Sequence, residues 1–496
     1  MSERKQGFWI IGFAWLALIT ILAATASFKG PLPLDARTNL PLLMVGVHFD
    51  WPLAATAIEP LTAPAAIIAG APSYMVAGFA AFSWLAAGAA IARGYRLLQQ
   101  RDKPAYRVLA EVCGAALATV LVAGLYLAFV ILVPLPSWRL LVSDPEIVVA
   151  DLHSHTLLSY DSFASCRSNL AYHRDRGYSV VAVTEHPLQA DRALPPPCAN
   201  AEGKLPKVVT GIELAAYKGY LLALGIPLDF PFYQFFERQL SGHDGGGLPA
   251  FIKAVHQAGG AVTALSFNLQ ENDLQRLVDA GVDGFEIANF AHPKLPDALK
   301  AALVAIQRSQ RVALIAVSDW HGWGGFARTW TLIRPRTSMF ASRSARVLDV
   351  LRAHDFDAVT PVIYHEFGQP TLLAGAVAPF VETVKYAREL TPMRLASWWL
   401  WTCIVAASAM WLRRRGFRPI PCIAGGAMLF LAAGFLVRGI VLIADWAAGA
   451  PHWFPLQVGS VCCGLSAITL LVALILLARR GVVGIISSPH RDMAPG

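Results

Sequence analysis

Charged residues are scarce in this chain: Asp, Glu, Lys and Arg make up only 15% of its 496 residues, while 55% are hydrophobic. With a mean hydropathy of +0.49, this composition excludes an ordinary soluble protein and indicates a membrane protein that carries one soluble domain. The sequence contains neither a GxGxxG motif nor a P-loop, so nucleotide binding through a glycine-rich turn is unsupported. Its basic residues cluster beside apolar runs, and membrane topology explains them better than nucleic-acid binding does.

Six apolar runs are long enough to cross the hydrocarbon core of a bilayer. They are Phe8–Ala26, Tyr74–Ile91, Val108–Val133, Leu395–Leu412, Ile420–Ile443 and Val458–Ala478. The segment between the third and fourth runs has charges, turns and mixed periodicity, as a soluble domain does. We therefore predict an N-terminal membrane region at 1–147, a soluble domain at 148–390 and a C-terminal membrane region at 391–496, with about three spans in each membrane region.

Four clusters of basic residues lie at alternate ends of these runs and set the predicted orientation. They are Arg4 and Lys5; Arg93, Arg96, Arg101, Lys103 and Arg107; Arg413, Arg414, Arg415 and Arg418; and Arg479 and Arg480. By the positive-inside rule all four are cytoplasmic, which makes the soluble domain of this inner-membrane protein extracytoplasmic. The first run also has the features of a signal peptide, whose cleavage would leave the remaining topology unchanged.

The apolar stretch Leu53–Gly70 is the main alternative in this topology, because counting it as a span would reverse everything after it. It contains Glu59, Pro60 and Pro64, which are unusual in a regular span. We interpret it as a possible re-entrant or surface segment, since non-helical backbone exists at membrane depth only where protein covers it.

Two short polar segments each follow an apolar strand-like run. The first is Asp-Leu-His-Ser-His-Thr at 151–156, and the second is Ser-Asp-Trp-His at 318–321. Side chains alternate faces in extended backbone, so His153 and His155 can chelate one ion, and Asp319 and His321 repeat that geometry. Strands that end at the rim of a parallel sheet or barrel deliver catalytic side chains in this way. Hydrogen-bonded core histidines are the alternative, which the joint placement disfavours.

Strand-like and helix-like patterns alternate through the rest of the soluble domain, which predicts a parallel α/β domain with ligands at the carboxyl ends of its strands. Predicted strands lie at 146–150, 179–183, 221–225, 261–265, 284–288 and 312–317, and predicted helices at 168–176, 248–258, 274–280 and 297–307.

These motifs resemble those of the PHP (polymerase and histidinol phosphatase) family of metal-dependent phosphoesterases. The resemblance covers about 148–365 and adds three motifs in the family's order, which are Asp161, Thr184-Glu185-His186 and Gly211-Ile212-Glu213. It implies an α/β fold of the distorted (β/α)7 barrel type, flanked by the α-helical transmembrane segments. It also implies two sets of metal ligands: His153, His155, Glu213 and Asp319 in one, and Asp161, His186 and His321 in the other.

The chain departs from the family at two positions, where Tyr220 and Ser266 replace histidines that many members have. In the family both histidines serve one third ion, so the departure implies two bound ions rather than three. Histidine and carboxylate ligands suit zinc, manganese or iron without selecting among them.

The resemblance implies a phosphohydrolase in which metal-activated hydroxide attacks a phosphate ester, with Asp319 and His321 as catalytic residues. Arg328, seven residues after His321 in a glycine-rich loop, is a candidate to bind the substrate phosphate, as are Arg167 and Lys218. An ordinary solvated charge is the favoured explanation for Arg167 and Lys218, and it is nearly as good an explanation for Arg328. His292 is a candidate general acid or replacement ligand. Membrane anchoring favours the lipid bilayer as a partner and an envelope or lipid-linked phosphorylated substrate, and no nucleic acid.

Three other functions stay open from the sequence. A phosphodiesterase or nuclease-like activity would use the same ligands, while a sensor or assembly protein would bind metal or ligand without turnover. A transporter would use charges inside the spans, such as Glu111 and Arg438, although the spans show no inverted repeat. Cys166 and Cys198 lie in the soluble domain and form a candidate disulfide.

Overall fold

The computed structural model describes residues 3–44, 46–100, 103–186, 206–216, 218–232, 235, 247–292, 295–334, 342–366 and 371–478, with side chains from residue 13 onward. The helices in the N-terminal part are α1 Glu3–Thr25, α2 Leu53–Ala57, α3 Glu59–Gly70, α4 Tyr74–Leu98 and α5 Ala105–Leu132. The helices of the central part are α6 Cys166–Asp175, α7 Leu248–Gln257, α8 Glu271–Ala280, α9 Asp297–Gln310 and α10 Arg343–Arg352. The C-terminal helices are α11 Leu372–Arg388, α12 Pro392–Arg414, α13 Pro419–Ala447 and α14 Phe454–Ala478.

The strands belong to one large sheet and one separate antiparallel pair. The first six are β1 Leu34–Asp35, β2 Val47–Asp50, β3 Arg139–Val142, β4 Val148–Asp151, β5 Val180–Glu185 and β6 Lys207–Ala216. The others are β7 Gly219–Leu224, β8 Ala261–Leu265, β9 Gly284–Asn289, β10 Ala313–Val317, β11 Thr329–Ile333 and β12 Val359–Ile363. Ten of them form a sheet in the order β1-β12-β11-β4-β5-β6-β7-β8-β9-β10, and β2 pairs with β3.

The large sheet is mixed, which corrects the prediction of a parallel domain. Strands β4, β5 and β6 are parallel to one another, as are β8, β9 and β10, but β7 is antiparallel to both of its neighbours. The connection from β6 to β7 is only two residues long, and Lys218 within it has a positive φ of 59°. A connection this short can join only antiparallel strands, since a parallel crossover needs a dozen or more residues.

The sheet curls into a half-barrel, so that its last strand, β10, lies beside β11. The Thr331 hydroxyl donates to the carbonyl of Ala316 at 2.8 Å and accepts from the backbone N–H of Ala316 at 2.9 Å, while the Thr329 hydroxyl donates to the carbonyl of Val317 at 2.7 Å. Side-chain hydroxyls therefore link these two strands where no backbone ladder joins them. The structure is thus a mixed α/β domain on a curled ten-stranded sheet, and the finer (β/α)7 description stays a prediction.

Five helices are long and apolar enough to cross a membrane, and they are α4, α5, α12, α13 and α14. They coincide with five of the six predicted spans. The first predicted span falls on α1, whose described side chains form a shorter apolar stretch, Phe13–Thr25. Large apolar side chains such as Leu117 on α5, which is 70% exposed, cover the outward faces of these helices, as expected where lipid is the solvent.

The stretch Leu53–Gly70 does not form one spanning helix. It is divided into α2 and α3 at Ile58, and neither helix reaches the length that a bilayer requires. Glu59, at the start of α3, is buried and pairs with Arg394 of α12 at 2.6 Å. The Tyr386 hydroxyl donates to the same carboxylate oxygen at 2.6 Å. The charge that looked unusual in the sequence therefore ties α3 to the C-terminal helices.

The charges inside the predicted spans have partners within the protein. Glu111 of α5 accepts from Lys103 at 2.7 Å and also from Arg93. Arg438 of α13 donates to the carbonyl of Leu132 at 2.9 Å and lies over the ring of Phe163. These contacts explain both charges without a transport role.

Candidate metal centre

The two polar motifs meet because the backbone after β4 pairs with the backbone after β10. Asp319 donates its N–H to the carbonyl of His153 at 2.8 Å, and His155 donates to the carbonyl of Trp320 at 3.0 Å. β4 and β10 are not neighbours in the sheet, so these two backbone hydrogen bonds join the curled sheet at the carboxyl ends of the strands, where both motifs lie.

Asp151, the last residue of β4, links the backbone after β4 to the backbone after β10. Its buried carboxylate accepts from the backbone N–H of Ser318 at 3.0 Å and of His153 at 3.2 Å, and it pairs with the Nε2 of His173 at 2.7 Å. The sequence analysis gave Asp151 and His173 no role. A carboxylate that begins the first polar motif was the available signal for Asp151, whereas nothing in the sequence marks His173.

The first predicted ligand set converges on one point. The atoms involved are the Nε2 atoms of His153 and His155, Oε2 of Glu213 and Oδ1 of Asp319. Five of the six separations among them are 3.0–3.2 Å. A regular tetrahedron with edges of this length has its centre about 2 Å from each corner, which is the ligand distance of zinc bound by histidine and carboxylate. All four residues are buried, so the sequence-predicted set is complete and fits a divalent ion.

Asp319 is held in an unusual backbone conformation that aims its carboxylate at this point. Its φ is 49°, in the left-handed region that costs a non-glycine residue conformational energy. Asn289 donates to Oδ2 of Asp319 at 3.3 Å, whereas Oδ1 is buried and accepts no hydrogen bond from the described residues. A buried carboxylate oxygen left for a cation is what a metal-binding role requires.

The second predicted set lies beside the first. Oδ2 of Asp161 is 3.3 Å from Nε2 of His186 and 3.4 Å from Nε2 of His321. Nδ1 of His321 donates to the carbonyl of Asp319 at 2.8 Å, which leaves its Nε2 available as a ligand. Nδ1 of His186 is 3.4 Å from Oε2 of Glu213, so Glu213 lies between the two sets. The structure thus brings all seven predicted ligands together.

Glu286 orients the first histidine of the set, and the sequence analysis missed it. Its buried carboxylate lies 2.8 Å from Nδ1 of His153, which fixes the proton on Nδ1 and turns Nε2 toward the centre. Asn289 donates to the other oxygen of Glu286 at 2.9 Å. A glutamate between apolar residues of strand β9 was the signal that could have identified this residue.

A second carboxylate, Glu185, holds the loop that follows the first motif. It accepts from the Ser159 hydroxyl at 2.5 Å and from the hydroxyl and N–H of Thr156. The Ser159 oxygen is in turn 3.0 Å from Nδ1 of His155. The sequence motif that contains Glu185 therefore contributes one ligand, His186, and one supporting carboxylate.

The electrostatics of the centre favour a bound cation. Burial disfavours a charged His153, but the carboxylates of Asp319, Glu213 and Glu286 outweigh burial and raise the pKa of His153 well above its usual value. Burial also opposes ionisation of Asp319, yet the facing histidines hold the pKa of Asp319 well below its usual range. A proton on His153 thus balances the carboxylates, and a divalent ion would replace it.

We expect the apparent affinity for a divalent ion to rise with pH. Binding must expel the proton of His153, so the affinity should increase by about tenfold per pH unit below the raised pKa of His153 and level off above it. Competition titrations against a chromophoric chelator from about pH 5.5 to 8.5, corrected for protonation of the chelator, measure this slope. An affinity that stays constant over this range would contradict the expectation.

The centre lies between two cavities of different character. A cleft of about 210 Å³, here called the polar cleft, is bordered by Tyr160, His186, Glu213, Tyr220, Asn268 and His292. A larger space of about 610 Å³, here called the apolar cavity, lies on the side of the membrane helices. Asp161, Asp319 and His321 border both of them. The metal centre is therefore bordered by open space on two sides.

The candidate phosphate-binding residues differ in their placement. Arg167 is exposed, and Lys218 pairs with Asp273 at 2.9 Å, so both fit an ordinary surface charge. Arg328 is only 1% exposed, donates to the carbonyl of Ala71 at 3.2 Å and borders the apolar cavity. Burial lowers the pKa of Arg328 to about 10, which still leaves its guanidinium charged at neutral pH.

The remaining candidates are His292, the two positions that lack the family's histidines, and the cysteine pair. His292 stacks on Phe267, and burial lowers its pKa, so it is neutral at pH 7 and better suited to accept than to donate a proton. Tyr220 borders the cleft, while Ser266 is buried. Cys166 is disulfide-bonded, but Cys198 lies outside the described residues, so their proposed pairing stays a prediction.

Comparisons with known proteins find similarity in solved structures alone. No family model matches the sequence, and no curated protein matches it.

A protein from Bifidobacterium adolescentis, provisionally described as a metal-dependent phosphoesterase, is 18% identical to this chain, with a TM-score of 0.25. The match covers 36% of this chain and 88% of that one. An amidohydrolase from Chromobacterium violaceum, solved with sulfate and no metal, is 14% identical, with a TM-score of 0.27, over 35% and 87%. PsfC from Pseudomonas syringae is 15% identical, with a TM-score of 0.30, over 48% and 98%. At TM-scores this low, these similarities do not identify the function of this chain.

Proposed function

We propose that this protein is an integral membrane, metal-dependent phosphohydrolase that cleaves a phosphate ester. Its catalytic domain is the PHP-like region at 148–390, flanked by membrane regions at 1–147 and 391–496. The observation that carries the proposal is the buried four-ligand cluster of His153, His155, Glu213 and Asp319, joined by three further ligands. The membrane-spanning length of five helices supports the integral membrane part.

The ligands divide into two sets, which favours two ions of zinc, manganese or iron rather than three. His153, His155, Glu213 and Asp319 would hold one ion. Asp161, His186 and His321 would hold the other, with His155 and Glu213 close to both sets. When bound, such ions lower the pKa of water and neutralise the oxygens of a phosphate ester. Tyr220 and Ser266 offer no histidine for a third ion.

The other residues of the centre position these ligands. Glu286 and Asn289 fix His153 and Asp319, and the Glu185–Ser159 pair fixes His155, so the ligand atoms keep their places before substrate arrives. A centre that is already organised does not have to reorganise as charge develops during the reaction. Arg328 supplies a buried positive charge in the wall of the adjoining cavity, where it can bind a phosphate oxygen.

Metal analysis and turnover of the purified full-length chain test this proposal. We expect divalent metal to copurify and a phosphate monoester such as p-nitrophenyl phosphate to be hydrolysed faster than the matching diester, bis(p-nitrophenyl) phosphate. Faster hydrolysis of the diester would identify a phosphodiesterase instead. Bound metal without turnover of either ester would favour a binding or sensing role.

We also propose that the centre faces the extracytoplasmic side of the inner membrane. The start of α4, the end of α5 and the start of α14 border the apolar cavity beside the centre, through Tyr74, Ile131 and Phe454. Basic residues lie at the other ends of the membrane helices, which supports this orientation by the positive-inside rule; they are Arg93, Arg96, Lys103 and Arg107, and Arg413, Arg414, Arg415 and Arg418.

A fusion after Asp144 tests the orientation. Alkaline phosphatase fused there should be active and a fluorescent protein should be dark, because alkaline phosphatase requires an oxidising compartment. The reverse result would place the centre in the cytoplasm and would restrict the substrate to cytosolic esters.

A further inference from the structure

The apolar cavity is built jointly by the α/β domain and the membrane helices. Ala69 of α3 and Ile131 of α5 contribute from the membrane side, and Phe290, Trp323 and Phe326 contribute from the α/β domain. Its volume of about 610 Å³ is within the range of small-molecule binding sites. The metal centre therefore has an apolar chamber on the side that faces the bilayer.

The polar groups of this chamber are confined to a few residues. Asp161, Asp319 and His321 belong to the metal centre, and Arg328 is a buried cation in the same wall. Most of the other bordering side chains are aliphatic or aromatic. A ligand that matches this lining has one anionic group for the metal centre and a hydrocarbon portion for the rest.

Two residues of the cavity wall are partly exposed at the level where the membrane helices meet the α/β domain. Ile131, in the last turn of α5, borders the cavity and is still 37% exposed, and Trp323 across from the same space is 38% exposed. An opening beside a membrane-spanning helix lets a bilayer component enter without passing through water. Tryptophan is typical of the membrane–water interface, where such an entrance would lie.

We propose that the apolar cavity binds the hydrocarbon chain of a phosphate ester that enters from the bilayer, with its phosphate at the metal centre. This inference rests on the proposed phosphohydrolase function and adds the substrate class, a phosphate carried on a long alkyl, acyl or prenyl chain. A sugar phosphate or other small polar ester matches this lining poorly, because its hydroxyls would lose water against apolar walls without gaining hydrogen bonds. Each methylene group of a long chain, in contrast, gains free energy on entering the cavity.

The experiment compares two phosphate monoesters that differ only in chain length, butyl phosphate and hexadecyl phosphate. The full-length protein is reconstituted in phosphatidylcholine nanodiscs, and phosphate release and equilibrium binding of radiolabelled hexadecyl phosphate are both measured. Wild-type kcat/KM should be at least about tenfold higher for the long chain. Two variants, Ile131→Trp and Ala69→Trp, fill the cavity from different helices. Each should lower the ratio of long-chain to short-chain kcat/KM at least about fivefold. Each should also weaken the equilibrium binding of hexadecyl phosphate.

Leu117→Trp is the matched control, because it places the same bulky side chain on the lipid-facing surface of α5, where Leu117 is 70% exposed. It should keep the wild-type ratio. Hydrolysis with no chain-length preference, or a ratio unchanged in both filled variants, overturns the lipid inference and leaves the phosphohydrolase proposal standing. A third result is also informative: the filled variants weaken hexadecyl phosphate binding, but neither ester is hydrolysed. That result overturns the phosphohydrolase proposal and supports the apolar cavity as the binding site of the hydrocarbon chain.

Discussion

Replacing His153 with alanine is expected to remove the metal of the four-ligand set and to lower phosphate ester hydrolysis by at least about a thousandfold. His153 is fully buried, and its Nε2 lies within 3.2 Å of His155, Glu213 and Asp319. Its removal deletes one corner of the tetrahedron and leaves the buried Glu286 carboxylate with Asn289 but without its histidine partner. Metal content of the purified protein and turnover of p-nitrophenyl phosphate together measure the effect.

His354→Asn is a suitable control for that substitution. His354 is partly exposed, is paired only distantly with Asp283 at 3.4 Å, and has a positive φ that asparagine tolerates. The control should retain both metal and turnover. If His153→Ala bound metal and hydrolysed the ester as the wild type does, the cluster would not be the catalytic centre.

Five of the ligands could be predicted from the sequence because they follow the end of β4, β5 or β10 in short polar motifs, whereas Glu213 lies inside β6 and Asp161 in the loop after β4. Two residues apart in extended backbone share a face, which sufficed for His153 with His155, and the family resemblance supplied the order of the others. The supporting residues could not be found in this way. Glu286, Asn289 and His173 act through contacts with residues that are distant in the sequence, and their own spacing along the chain does not indicate those contacts.

Strand direction was the main error in the predicted fold. The alternation of strands and helices suggested parallel strands throughout, and this holds for β4–β6 and β8–β10. The strand around Leu221 was predicted, but its pairing with β6 in a hairpin was not, because an apolar run gives its position without its direction. The hairpin matters to function, since it places Glu213 and Tyr220 at the same end of the sheet as the motifs.

The apolar cavity was outside the reach of sequence analysis for a different reason. Its walls come from residues such as Ala69, Ile131, Trp323 and Phe454, which are ordinary apolar residues in four separate segments. Each would be explained locally as a span or as core. The cavity forms only where the ends of the membrane helices meet the carboxyl ends of the strands. Arg328, which the sequence alone would leave as a surface charge, is buried at this junction.

Replacing Arg328 with methionine is expected to lower turnover by about a hundredfold while leaving the bound metal in place. The guanidinium is buried in the wall of the cavity that adjoins Asp319 and His321, and it donates to the backbone carbonyl of Ala71. Arg328→Lys should recover only part of the loss, because an ammonium group cannot bind two phosphate oxygens in the plane of a guanidinium. Turnover and metal content are measured on the same preparations.

A purely structural role for Arg328 predicts a different pattern. Losing the hydrogen bond to the carbonyl of Ala71 would lower the melting temperature, and lysine would then restore stability and activity together. Arg346→Met is the matched control, because Arg346 is also buried but pairs with Glu146 on another part of the domain. If Arg328→Met kept turnover within about twofold of wild type, or lost activity only to the extent that Arg346→Met does, Arg328 would not bind the substrate phosphate.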